Sequence, residues 1–490
     1  MEEAVQFTPS WESLEGRGTP EWFPRAKFGL WAHWGPQCQP GFGDWYARKM
    51  YLPGTEAAEF HRKRYGHPSE FGFKDVINEW TASRWDPEEL VSLYARTGAR
   101  YFVAMANHHD NLDLWDSPHH AWNSVRVGPR RDVVGEWAAA ARAHGLRFGV
   151  SVHAAHAWSW YEPSQGYDGR LTQADGVGTW WDGLDPRELY AQNHPPVPGF
   201  EQPKTVNGNW DWPDPEHWPD AAYQANFKAR TLQLAQAYRP DLVYFDDTVL
   251  PLHQCGPVGL EIAAELYNLH DDLIVCGKVL DERQRRALTW DVERGAADRI
   301  EPEPWQTCTC LGQWHYDDRV FAEHRYKSAA EVVGMLADVV SKNGNLLLSV
   351  PITGDGEIDS DERAILAGIG EWLAVNGEAI FDTVPWKVFG EGPSSDDPPA
   401  LKEQGFNEGG AMTAADIRYT ATGTALYATA LAVPDGPVVL RRLGRAAGLL
   451  DREITAVRAL GDDRPVTWRQ EEQALVIESA AQVHRIELTG

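Results

Sequence analysis

At 490 residues, with 45 Lys and Arg against 72 Asp and Glu and a formal net charge of −27, the chain lacks the basic footprint that nucleic acid or an anionic membrane surface requires. Hydrophobic residues at 43% and charged residues at 24% exclude wholesale disorder, and no apolar run is long enough for a membrane-spanning helix. What remains is an acidic globular protein with room for two or three domains, suited to an uncharged substrate.

The N-terminal stretch MEEAVQFTPSWESLEG places acidic residues where a signal peptide carries basic ones and has no apolar centre. A cytoplasmic location is therefore expected of the chain as given, or a secreted or periplasmic one if a leader has been removed. The first strand is read in KFGLWAHWG (27–35), which ends at His33. DPEELVSLYARTG then reads as a helix. Asp86 can cap it, Pro87 sits where a first turn tolerates proline, Gly98 follows the last turn, and Leu90, Leu93 and Tyr94 share a face.

The next segment, RYFVAMANHHD (100–110), passes abruptly from apolar to ionisable. A near-continuous apolar run is the mark of a strand buried on both faces, as in a parallel sheet. His108, His109 and Asp110 then fall at its C-terminal end, the edge where α/β folds bind ligands. RFGVSVHAAH (147–156) repeats the pattern with His153 and His156. Residues 158–220 break it: they are rich in Trp, Pro, Gly, Asp and Asn, and are expected to form an ordered aromatic loop over the barrel mouth.

Helical spacing returns in AAYQANFKARTLQLAQAYRP (Tyr223, Phe227, Leu234, Tyr238). The strand DLVYFDD (241–247) follows, ending at Asp246 and Asp247, then LIVCGK (273–278), ending at Lys278. A helix in SAAEVVGMLADVVSKNG precedes a last strand, NGNLLLSVP (343–351). Alternation of strand and helix with polar residues at strand ends predicts a (β/α)8-like TIM barrel over residues 1–375. A doubly wound open sheet is the alternative, but no GxGxxG opens a helix after a strand. After the helix SDERAILAGIGEWLAVNG the texture changes to short alternating segments, DIRYTA, VVLRRL, PVTWRQ and VHRIEL, separated by turns. Residues 376–490 are read as a C-terminal β-sandwich, with a loop around 390–410.

Chemistry follows from the strand ends. The 23 tryptophans lean towards carbohydrate, because aromatic faces stack on sugar C–H faces, although they fill cores equally well. Glycoside hydrolysis needs two carboxyl groups. Of Asp246 and Asp247 only one can point into the barrel, and Glu293 in WDVERG is a second candidate. The five cysteines, Cys38, Cys255, Cys276, Cys308 and Cys310, have no zinc-finger spacing and read as free thiols. His33, His108, His109, His153 and Asp246 are the right types for a metal-dependent barrel hydrolase, but the first strand reads HWG where such enzymes carry HxH. A non-catalytic sugar-binding protein on the same scaffold is the other rival.

FPRAKFGLWAHWG, GDWYARKMY, WDPEELVSLYARTGARYFVAMANHHDNLDLWDS, RPDLVYFDD, WQTCTCLGQWHY and VSKNGNLLLSVPITGDGEI together resemble the α-L-fucosidases of glycoside hydrolase family 29. The resemblance implies a retaining exo-α-L-fucosidase without a cofactor or metal, acting on α-L-fucosides, whether small molecules or oligosaccharides. A homo-oligomer is left open. It puts the nucleophile at Asp246 and the acid/base at Glu293, since the family's W-E-T-C glutamate is here Gln306. His33, His108 and His109 are expected to bond sugar hydroxyls. Asp44 and Trp45 match an E-W-Y element, with Asp for Glu. Tyr244 matches a pocket-wall aromatic, His153 lies where relatives carry Y-Y-S-x-x-x-W, and Lys278 stands near a family arginine. Asn111 replaces the glycine of HHDG.

Overall fold

Eight parallel strands close on themselves in sequence order: β1 (Phe28–Ala32), β2 (Tyr101–Asn107), β3 (Arg147–Val152), β4 (Leu242–Thr248), β5 (Ile274–Lys278), β6 (Thr289–Glu293), β7 (Trp305–Cys310) and β8 (Gly344–Ser349). β8 returns to β1 with Leu347 opposite Gly29. The computed structural model describes residues 6–191, 194–197, 215–398, 400–401, 405–410 and 412–489. Six of the eight strands coincide with the expected segments; β6 and β7 were not read as strands. The closed barrel replaces the open-sheet alternative.

Strand alternation sorts the side chains into two cores. Outward residues such as Leu30, Phe148, Val150, Val243, Phe245 and Val292 join the helices in one large apolar layer. Inward residues, among them Trp31, Tyr101, Val103, Leu242, Tyr244, Ile274, Cys276 and Cys308, fill the barrel. Gly29 is what lets Tyr101 lie across the interior, since a Cβ there would meet its ring at 2.4 Å.

The helices form for the reasons their sequences suggest. In Pro87–Arg96 the Asp86 side chain accepts from the Glu89 N–H, and Leu90, Val91 and Tyr94 are buried, with Leu93 turned partly to solvent. Phe227 and Leu234 bury Ala221–Tyr238, and Val332, Leu336 and Val339 bury Ala329–Ser341. No described helix is long and apolar enough to cross a membrane.

The aromatic segment differs from expectation. Residues 158–191 form short helical turns whose Trp160, Tyr161, Trp181 and Tyr190 pack into the main core. The buried Asp168 carboxylate accepts from Tyr51 and Tyr190 there. Residues 192–193 and 198–214, also part of that expected loop, lie outside the described residues.

After the helix Ser360–Asn376 come two antiparallel sheets. One holds β9 (Val384–Glu391), β10 (Ile417–Ala421), β11 (Ala425–Ala430), β13 (Ile454–Ala459) and β16 (Val483–Leu488), in the order 13-16-11-10-9; the other holds β12 (Val438–Leu440), β14 (Trp468–Gln470) and β15 (Leu475–Ile477). Tyr419, Leu426, Leu440, Leu475 and Ile486 form the core between them. Helix Ala329–Ser341 packs against β9 and β10. There Asp338 accepts from Arg418 Nε at 2.5 Å and from Lys342 Nζ at 2.8 Å, all three side chains being largely buried.

Removing that carboxylate leaves two buried cations without their partner. Asp338→Ala is expected to lower unfolding free energy by about 3–5 kcal/mol, against less than about 0.5 kcal/mol for Glu89→Ala in the exposed Arg363 pair. Denaturant titration of both variants checks the contrast.

Candidate functional site

The inward-facing set on each strand runs on to a polar residue at the barrel's C-terminal mouth. Gly29 and Trp31 lead to His33, Gly149 and Ser151 to His153, Leu242 and Tyr244 to Asp246, Ile274 and Cys276 to Lys278, and Asp291 to Glu293. A cavity of about 530 Å³ opens there, lined by these five end residues and by Trp31, Asp44, Trp45, His108, Tyr244, Trp314 and Phe406, among others. Both adjacent aspartates border the cavity, and the alternation separates their directions. Asp246 faces inward, whereas the buried Asp247 lies 2.9 Å from His156 Nε2.

At the centre is Lys278. Its Nζ donates to Asp246 Oδ1 at 2.5 Å and to Glu293 Oε2 at 2.6 Å. Two oxygens held by one ammonium are therefore at most 2.5 plus 2.6 Å apart. Lys278 is 5% exposed and the carboxylates 17% and 16%, so each is reached only through the cavity. Burial opposes the Asp246 charge, but the Lys278 ammonium and the neighbouring His109 and His153 outweigh it and hold the carboxyl well below the usual carboxylate range. Burial likewise opposes the Lys278 charge, and Asp246 and Glu293 overcome it to hold the amine well above its ordinary value. Glu293 has no salt bridge to its basic neighbours: Arg294 pairs with Glu408 and Arg299 with Glu301.

The second Asp246 oxygen, Oδ2, faces His153 Nδ1 at 3.2 Å and His109 Nε2 at 3.4 Å. His109 Nδ1–H donates to the His153 carbonyl at 2.9 Å. This residue was expected to meet sugar hydroxyls, but it is buried behind Asp246 and does not line the cavity. His108 does line it. Gln37 Nε2 donates to His108 Nδ1 at 2.9 Å, which leaves the proton on Nε2. Burial pushes His33 and His108 well below the ordinary imidazole value, so both are neutral donors or acceptors. Asp110 stays out of the cavity. Its carboxyl caps the turn by accepting from the Leu112 N–H, and burial pushes it up to about 6. Asn111, at φ 61°, occupies the left-handed position that glycine or asparagine tolerates.

A buried network holds these parts. Arg230 clamps Asp113 through Nε and Nη2, Asn107 Nδ2 donates to Asp113, and Asn107 Oδ1 accepts from the His153 and Ala154 N–H groups. Below the site, Asp291 accepts from Gln306 Nε2 and the Cys308 thiol, and burial pushes it up to about 6. The five cysteines are unpaired.

Asp44 sits at the rim, where it accepts from the Trp314 and His315 N–H groups and faces His315 Nδ1 at 3.3 Å. Trp45 and Tyr244 contribute aromatic wall. Trp314 and His315 were not singled out from the sequence, because they lie four and five residues past the end of β7, where the strand-end rule no longer points. Phe406 carried no signal either. The described part of residues 158–220 contributes nothing to the lining. Among the described residues, two imidazole trios, His33–His108–His315 and His108–His109–His153, bring ligand atoms within 4.8 Å of one another and are the groups that could hold a metal ion.

A (β/α)8 barrel whose mouth holds two facing carboxylates among imidazoles and indoles is the form of a glycoside hydrolase. Residues 1–378 match the family model described as Alpha-L-fucosidase, and the chain belongs to that family. Tissue alpha-L-fucosidase of Bos taurus is 28% identical over 481 residues, covering 94% of this chain and 84% of the relative. The Homo sapiens tissue enzyme is 27% identical over 448 residues, covering 89% and 80%. Among solved structures, Thermotoga maritima alpha-fucosidase in complex with fucose aligns with a TM-score of 0.72 at 25% identity, covering 98% of this chain and 100% of that one. The structure of that enzyme with a mechanism-based inhibitor gives 0.73 at 26% identity, with the same coverage.

The shared ammonium makes a pH signature. In the wild type, Asp246 ionises below its unfolded value, so its contribution to stability is present above about pH 4 and is lost only in acid. Lys278→Met leaves two carboxylates facing each other, and the first proton to bind is then held more tightly than in the unfolded chain. The variant's unfolding midpoint should therefore fall relative to wild type as pH rises from about 5 to 8. Parallel midpoints across that range would refute the coupling.

Proposed function

We propose that this chain releases α-L-fucose from fucosides by a retaining double displacement, with Asp246 as nucleophile and Glu293 as acid/base. The observation that carries the reading is the single Lys278 ammonium shared by the two carboxylates. It brings their oxygens to within about 5 Å, the scale of retaining pairs at about 5–5.5 Å and short of the roughly 6.5–9.5 Å of inverting ones. Family membership and the fucose complex of the Thermotoga maritima relative support the choice of sugar.

In the first step Asp246 attacks the anomeric carbon as the glycosidic C–O bond breaks, and Glu293 gives its proton to the departing oxygen. A β-fucosyl ester of Asp246 results. In the second, Glu293 takes a proton from water, whose oxygen attacks the same carbon and releases Asp246, so fucose leaves in the α configuration. Lys278 offsets charge on whichever carboxylate bears it as the proton and the ester bond pass between them. The neutral imidazoles of His33 and His108 offer the directional hydrogen bonds that sugar hydroxyls need, and Trp31 and Trp314 offer apolar wall.

Proton NMR of the product should show α-fucose first; β-fucose first would overturn the retaining mechanism. Asp246→Ala should abolish turnover of an aryl fucoside, and azide should restore it with β-fucosyl azide as product. Glu293→Ala should slow natural fucosides by about 10²–10⁴-fold, the usual reach of general acid catalysis, and spare the first step with leaving groups that need no proton. Equal losses on both substrate types would remove Glu293 from the role. Both chemical groups are carboxylates, so turnover should survive EDTA; loss on chelation with recovery on added metal would favour the imidazole trios as a metal centre.

A further inference from the structure

We infer that Phe406, delivered by the connection between β9 and β10 of the C-terminal β domain, is the platform of a leaving-group subsite, and that its ligand is a pyranose offering a face of axial C–H bonds. The inference rests on the reading of Glu293 as the acid.

The leaving group must approach whichever residue protonates it, so the wall next to Glu293 is the wall the aglycone meets. That wall is not built by the barrel alone. Gly405 pairs with Glu293 as an isolated parallel bridge. The Phe406 N–H donates to the Glu293 carbonyl at 2.7 Å, and the Glu408 N–H donates to the Arg294 carbonyl at 2.9 Å. Glu408 then fixes the segment by accepting from Arg294 Nε and Thr309 Oγ1, each at 2.7 Å. Gly405 allows the approach: it stands at φ +111°, and a Cβ there would meet the Glu293 carbonyl oxygen at 2.1 Å.

The Phe406 ring lines the same cavity as the two carboxylates, yet it is 51% exposed. The deeper aromatics of that cavity, Trp31 and Tyr244, are almost wholly buried. Depth separates the two roles: the buried rings enclose the sugar that is cleaved off, and the exposed ring stands at the rim beside the acid. Its backbone is held at φ 54°, a conformation costly for a bulky residue, so the presentation is imposed by the surrounding hydrogen bonds. An aromatic face half in water favours a partner that is apolar on one side and hydroxylated on the other, which is the character of a pyranose.

The test compares two substrates in the full-length enzyme. α-L-Fucosyl fluoride has a leaving group too small to reach a platform, whereas α-L-fucosyl-(1→2)-galactose has one that fills it. Phe406→Ala should lower kcat/KM for the disaccharide by about tenfold, the upper end of what an aromatic contact is worth, chiefly through KM, and leave the fluoride unchanged. Phe406→Tyr should restore the disaccharide. An unchanged disaccharide would overturn the inference. So would equal losses on both substrates, or an equal loss on methyl α-L-fucoside, whose leaving group is too small for a platform yet still needs the acid, which would mean the residue only steadies Glu293. Inertness of the wild type towards the fluoride would overturn the fucosidase reading and this inference with it.

Discussion

An ammonium and two carboxyl groups, each largely buried, meet at the barrel mouth, and everything else in the site accommodates that fact. Two ionised carboxylates whose facing oxygens lie no more than about 5 Å apart repel strongly at low dielectric. Lys278 lessens that repulsion by donating to both. A compact ammonium suits the task because its donors point in separate directions. A guanidinium is planar and tends to engage one carboxylate with both prongs. The cost of burying the three charges is offset further by the imidazoles at Asp246 Oδ2 and by the face of Tyr244, whose ring centre lies 5.6 Å from the ammonium.

The geometry is precise because the supports are not loops. Asp246, Lys278 and Glu293 lie at the C-terminal ends of adjacent, paired strands, β4 to β6, with Asp246 inside an irregularity of the β4–β5 pairing between Tyr244 and Thr248. His153 is less regular, since it begins a helical turn just past β3, and Asn107 compensates by gripping its backbone. Arg230 and Asp113 hold Asn107 in turn, so a salt bridge between the barrel and an outer helix fixes the imidazole that faces the nucleophile candidate. Such support works through position alone and touches nothing in the cavity.

How much of this could be read from the chain depended on which side of a strand carried the information. β1 to β5 and β8 announce themselves through unbroken apolar runs, and the polar residue closing each run is a site residue or stands beside one. β6 and β7 were missed because their inward positions are polar. Asp291, Gln306 and Cys308 fill the barrel by hydrogen bonding to one another and to Tyr101, and Glu293 pairs with Lys278, so neither alternation nor an apolar run survives. Two adjacent histidines look equivalent in sequence, but they leave the chain in different directions: His108 lines the cavity, whereas His109 faces Asp246. Phe406 left no trace at all, because its place depends on a pairing between positions 112 residues apart in the chain.

The interior-facing sets that end in site residues also decide where the chain can change length. Loss of one residue within β4 would turn Asp246 towards the helices and bring a neighbour into the mouth, since every side chain beyond the gap changes face. Loss of two would keep the facing but lower the carboxylate by about 6.6 Å, the rise of two residues, out of reach of Lys278. Evolutionary insertions and deletions are thereby confined to the connections, where they alter what surrounds the reacting sugar and leave the reacting atoms where they are.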